Sequence, residues 1–221
     1  MRNPFVRSFR LAALFLSALL SRPVFAYDSL LQPESIRDAY FLGRRHDENT
    51  AAFLAKYLKR LPLPEKGPHV SEIALYTPYA QVVLNSWRNA SIYSAQQAEQ
   101  DYRTNGDAIR VRVMIEFTPT FNTTQGIKMS ADKDATGNQG LVRRTKDFWR
   151  EFQYELRQKE KSVNPRSVEG KPIYSDDDGI TGAEVLLLYD AVDVASEDTT
   201  FDVYTPDDHH VIAKFNLAEL R

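Results

Sequence analysis

GAEVLLLYDAVDVASEDTTFDVYTPDDHHVIAKF, residues 182–215, is the stretch on which the fold turns. Residues 183–189, apolar apart from Glu184, have the length and content of one buried strand. Residues 200–204 and 211–215, rich in β-branched and aromatic side chains, read as two further strands. Pro206-Asp207-Asp208 is a turn signal between them. These runs predict three successive antiparallel strands, with the longer 190–198 connection less firmly placed than the second hairpin.

Working outward, FWREFQYELRQ at 148–158 satisfies two periods at once. Phe148, Phe152 and Leu156 are four apart, as in a helix, while Phe152, Tyr154 and Leu156 alternate, as in a strand. The aromatic content and neighbouring strand signals favour the strand. Residues 122–140 carry three glycines and few large apolar groups, which predicts an exposed loop. Ile109, Val111, Val113 and Ile115 alternate with Arg110, Arg112 and Met114 and read as another strand.

Upstream the period changes to that of helices. Thr77-Pro78 opens one helical stretch and Ser94-Ala95-Gln96-Gln97 a second, so 78–105 reads as mostly helical with a break at 89–93. A short strand is expected at 70–76. Phe53, Leu54, Tyr57, Leu58 and Leu61 recur three and four apart and predict an amphipathic helix that PLPEKGP, 62–68, terminates. Asp47 or Asn49 is its expected cap. A further short helix begins at Pro33-Glu34. The fold class expected is α+β, with N-terminal helices followed by an antiparallel β-sheet or β-sandwich.

The first 26 residues have the composition of an export signal. Arg2, Arg7 and Arg10 precede the apolar run LAALFLSALL, and Val24-Phe25-Ala26 places small groups where a peptidase reads them. Ten apolar residues rise only about 15 Å as a helix, half of a hydrocarbon core of roughly 30 Å. The expected organisation is therefore a signal peptide at 1–26, a helical segment and proline-rich linker at 27–68, and an α+β domain at 69–221. The mature chain is expected to have no transmembrane span and to reside in the periplasm or outside the cell.

Composition narrows function mainly by exclusion. The absence of cysteine removes disulfide scaffolds, thiol catalysis and Cys-ligated metals. From Ser175 onward there are twelve acidic and two basic residues, a field that disfavours nucleic acid. No G-x-G-x-x-G, phosphate-loop, H-E-x-x-H or G-x-S-x-G pattern occurs.

Two groups of residues remain as candidate sites. On the strand reading, Trp149 lies across the pleat from Phe148, Phe152 and Tyr154, which would expose its indole beside Glu151, Gln153 and Arg157 as a ligand-binding face. Asp176, Asp177 and Asp178, with Asp190 and Asp193, offer clustered oxygens for a hard cation such as calcium; otherwise no cofactor is expected. The Asp132, Asp134, Gly137 run begins like a calcium loop but has Arg143 where a bidentate glutamate belongs. His209 and His210 should point to opposite faces if they lie in a strand. The expectation is an exported soluble non-catalytic binding or protein-interaction module of the cell envelope, its partner an envelope protein, peptide or carbohydrate. The alternative is an exported hydrolase using carboxylates or a Ser/His/Asp arrangement that leaves no sequence signature.

Overall fold

The computed structural model describes residues 30–121, 124–125, 142–143, 145–176 and 179–221. The segment read from sequence as an export signal and nearly all of the 122–140 stretch, including Asp132 and Asp134, lie outside these residues. The order is α1 (Pro33–Arg44), α2 (Glu48–Ala55), β1 (Leu58–Arg60), β2 (His69–Tyr76), α3 (Pro78–Arg88), α4 (Ala95–Asn105), β3 (Ala108–Glu116), β4 (Thr124–Gln125), β5 (Val142–Arg143), β6 (Gln153–Gln158), β7 (Lys161–Val163), β8 (Ser167–Tyr174), β9 (Ile180–Asp190), β10 (Asp198–Tyr204) and β11 (His210–Asn216). Single 3₁₀ turns occupy Phe148–Glu151, Ala191–Asp193 and Leu217–Glu219.

Two antiparallel sheets carry the fold. The first has strand order β1-β2-β3-β9-β8 and the second β11-β10-β6-β7. Their inward rows, among them Ile73, Val111, Val113, Val185 and Leu187 from the first and Leu156, Phe201, Val203 and Phe215 from the second, form one buried cluster. Strand alternation does this directly, because every second residue of β3 and β10 must lie on one face.

Helices α1, α3 and α4 enclose a second cluster of Ile36, Ala39, Tyr79, Val82, Val83 and Ala98, and Phe53 packs against both. Asp47 caps α2 by accepting from the Thr50 backbone N–H at 2.8 Å. Those contacts with the Thr50 N–H and hydroxyl hold its carboxyl below the usual range. Ser94 caps α4 by accepting from Gln97 N at 3.1 Å, but the Gln97 side chain bonds Asp101 and does not reach back to Ser94.

Three expectations need correction. The helix read through Leu61 stops at Ala55, because Leu58–Arg60 instead pair with β2 and the wholly buried Tyr57 donates its hydroxyl to the Arg221 carbonyl at 2.7 Å. The strands of 183–215 are not three in succession: β9 has both edges filled by β3 and β8, so residues 191–197 cross to the second sheet, where only β10 and β11 form a hairpin. The ambiguous 148–158 segment is divided between a 3₁₀ turn and β6. Strand β8 was not anticipated. It contains Gly170 and Pro172, has a bulge between Ile173 and Tyr174, and buries neither face fully.

Helix α1 approaches α3 through Gly43, where a Cβ would lie 2.3 Å from the Val83 carbonyl oxygen and 2.6 Å from Ser86 Cβ. Backbone cannot yield there as a flexible side chain could. Gly43→Ala should lower unfolding free energy by about 1–3 kcal/mol through overpacking, read from urea unfolding of the purified chain.

Candidate functional site

Strand β10 places Thr199, Phe201 and Val203 in the core and turns Asp202 and Tyr204 to the outer face of the second sheet. Register sets Asp202 beside Glu155 of β6 and Ile212 of β11, with Arg157 and His210 on the diagonals. Those diagonal neighbours are within reach of long side chains. Arg157 Nε donates to Asp202 Oδ2 at 2.8 Å, and His210 Nε2 lies 2.6 Å from Asp202 Oδ1. The Asp202 carboxylate has no exposed surface although it sits on a sheet face turned outward, where the Arg157 and His210 side chains close over it. Burial alone would raise its pKa, but the hydrogen bonds and charges of Arg157 and His210 outweigh it and hold the carboxyl below its usual value. Hydrogen bonding and charge from Asp202 in turn push the Arg157 guanidinium up.

Tyr204 stands directly opposite His210, and their rings stack at 4.4 Å between centroids and 6° between planes. With Nε2 held by the carboxylate, Nδ1 of His210 has no hydrogen-bond partner among the described residues. His209 diverges from it and pairs with Asp207 at 3.2 Å, as expected of neighbours in an extended chain.

Thr200, in register with both Arg157 and Lys214, carries this face into a groove. That groove, of about 700 Å³, lies between the α2–β1 connection and β10–β11 and is lined by Lys56, Lys59 and Lys214, by Asp198 and Glu219, and by Phe215. Lys59 Nζ stands 5.7 Å from the Phe215 ring centre. None of the three lysines has a carboxylate partner among the described residues.

Of the four ligand residues proposed from sequence, Gln153 and Arg157 do lie on this outer face and Glu151 is exposed just before it. Trp149 does not join them. It is 6% exposed, and its indole fills the place where a side chain on Gly170 would stand, with a Cβ there only 2.2 Å from indole Cε2. The 3₁₀ turn breaks the pleat on which the exposed orientation depended, and it sends the ring between the two sheets. Asp202, Tyr204 and His210 were missed as a set. Their available signal was the aspartate at an alternate position of FDVY, facing a histidine that begins the next strand.

The proposed cation ligands are not brought together. Asp176 precedes β9 and Asp190 ends it, so about ten strand rises of roughly 3.3 Å separate them. Asp190 is paired with Arg166 at 3.1 Å, and Asp193 stands exposed in the following 3₁₀ turn. Asp177 and Asp178 lie outside the described residues. Among the described residues no group of three or more His, Asp or Glu side chains is placed to hold a metal ion.

No protein-family model matches the chain, and no curated protein matches it in sequence.

Two outcomes separate framework from surface here. Trp149→Ala should cost about 3–5 kcal/mol in denaturant unfolding, the value of a core aromatic. Asp202→Ala should cost about 1–3 kcal/mol near neutral pH by unpairing Arg157 and His210. Because the folded carboxyl titrates below the unfolded one, this contribution is complete above the unfolded range near about pH 4 and is lost as pH falls towards the folded value. The gap between wild type and Asp202→Ala should therefore close on acidification, as measured by urea unfolding across pH.

Proposed function

We propose that the chain is an exported, non-catalytic binding module of the cell envelope, and that its ligand lies along the outer face of β6-β10-β11 and in the adjoining groove. The observation that carries this reading is the buried Asp202, which fixes Arg157 and His210 on an outward sheet face beside the Tyr204 ring. Burying a carboxylate costs desolvation that apolar packing would avoid. The result is a set of polar groups held in place before any ligand arrives, which lowers the ordering cost of recognition.

The groove supplies the chemistry of the partner. Its three lysines, without ion-pair partners among the described residues, stand against the carboxylates of Asp198 and Glu219, and this small positive excess beside the Phe215 ring suits an extended chain bearing carboxylates, either an acidic peptide or a uronic-acid glycan. Export is supported by the arginines, apolar run and small residues of 1–26. No helix among the described residues is long and apolar enough to cross a membrane.

The hydrolase reading draws on one observation, a histidine oriented by a buried carboxylate as a general base would be. Among the described residues no hydroxyl bonds that histidine, so none of them is placed as a nucleophile for the dyad. Binding without turnover fits the arrangement better.

Backbone amide shifts should move at 153–157, 200–204 and 210–216 when an oligoglutamate peptide or an oligogalacturonate is titrated in. Lys59→Glu combined with Lys214→Glu should weaken that binding by about tenfold or more. Shifts confined to other surfaces, or unaffected by the double variant, would redirect the assignment. Protein recovered from its native compartment should begin at Tyr27 by mass determination.

A further inference from the structure

The main chain of β11 has a side that the sheet does not use. This strand ends the order β11-β10-β6-β7, so among the described residues only β10 pairs with it. Two bonds fix which of its main-chain groups β10 takes. Thr205 N donates to the His209 carbonyl at 2.9 Å just beyond one end of the β10–β11 ladder, and Leu217 N donates to the Glu197 carbonyl at 3.2 Å just beyond the other. Opposed residues of an antiparallel ladder alternate between bonded and non-bonded pairs, so the parity of those two makes Val211, Ala213 and Phe215 the residues bonded to β10. The N–H and C=O of His210, Ile212 and Lys214 therefore point away from β10, and no other backbone hydrogen bond takes them up among the described residues.

The same alternation places the side chains of His210, Ile212 and Lys214 on the outer face, all of them exposed. Ile212, 45% exposed, is the one exposed large apolar side chain among the described residues of this sheet. Phe215 points inward and Lys214 outward, yet both line the groove, so the groove opens along the side of β11 that lies between them. Lys56 and Lys59 line it from the first sheet, where Lys59 belongs to the edge strand β1. Three lysines against the carboxylates of Asp198 and Glu219 leave one positive charge in excess there.

We propose that the open side of β11 receives an extended acidic peptide as an added strand, with an apolar residue opposite Ile212 and carboxylates opposite Lys214 and towards Lys56 and Lys59. This assignment rests on the binding reading of the same face and groove, and it selects peptide over glycan. A row of free main-chain donors and acceptors is matched by another main chain, whose hydrogen bonds give affinity while its alternate side chains give specificity. A sugar chain has no such repeat. Residues of the added strand in register with Ile212 and Lys214 set their side chains on the same outer face, and the residues between them turn towards the first sheet and its lysines.

The probe is the blocked peptide Glu-Glu-Glu-Val-Glu-Glu-Glu, which reads the same in either direction, added to the whole chain while amide hydrogen exchange along β11 is followed by NMR. Without peptide, the amides of Val211, Ala213 and Phe215 should be protected and those of Ile212 and Lys214 should exchange freely. Saturating peptide should slow exchange at Ile212 and Lys214 by about tenfold or more. The same peptide N-methylated at every residue keeps its charge but has no N–H, and should bind about tenfold more weakly or worse. Ile212→Pro removes an outward N–H without removing a bond to β10 and should weaken binding to a similar degree, while Ile212→Ala, which keeps that N–H, should weaken it less. Binding without protection at Ile212 and Lys214, or equal binding of the methylated peptide, would overturn strand addition and leave a groove that reads side-chain charge alone. No binding of the peptide would also overturn it, and titration with oligogalacturonate then decides separately whether the groove binds carboxylates. Protection at Ile212 and Lys214 that rises with protein concentration in the absence of peptide would give this side of β11 to a second copy of the chain.

Discussion

Two sheets that must each hide one face from water settle most of this molecule. Strand β9 is the pivot: its inward Ala183, Val185, Leu187 and Tyr189 are buried, and both of its edges are hydrogen-bonded, to β3 and to β8. A strand so enclosed leaves no edge for the chain that follows it, so residues 191–197 have to change layers before β10 can form. The crossing is secured locally. Gln158 donates to the Ala195 carbonyl at 2.7 Å and accepts from Ala195 N at 2.8 Å, joining the connection to β6 while remaining buried. Trp149 performs the corresponding task at the other side of the core, entering from the second sheet and seating on Gly170 of the first.

The outer faces follow from the same alternation, and each spends its polar residues differently. On the second sheet one buried carboxylate gathers a guanidinium and an imidazole on the outward face. On the first sheet two carboxylates lie about Arg112, and the neighbouring Arg110 is left with none. The contrast comes from register alone, since Glu72 and Glu184 face Met114 across β2 and β9 and so flank Arg112 more closely than Arg110.

What could be read in advance was whatever a local period specifies. Strand β3, helices α3 and α4, the Asp47 and Ser94 caps and the last hairpin are each written within about ten residues, and the structure contains them. Strand β8 escaped because its half-buried faces, with Gly170 and Pro172 inside, give no alternation to detect. The orientation of Trp149 escaped because pleat parity is lost across a 3₁₀ turn, and an error of one residue exchanges the faces. The Asp202 cluster draws Arg157 from a strand 45 positions earlier, so no short window contains it. Pairing register, which only the assembled sheet defines, is what brings these residues together.

The sheet borders bear on how the chain keeps from polymerising. Exposed strand edges are templates for a neighbour's backbone, and proteins blunt them with brevity, charge, proline and bulges. Here β1 and β7 have three residues each, while β8 has a proline without an N–H, a bulge near its end, and Glu169 and Lys171 along it. Among the described residues, only β11, with seven regularly paired residues, presents a long unbroken border. Its outward Lys214 and His210 place positive or protonatable groups along that border, so a second copy approaching edge to edge would meet like charge there. A strand bearing carboxylates would meet no such repulsion.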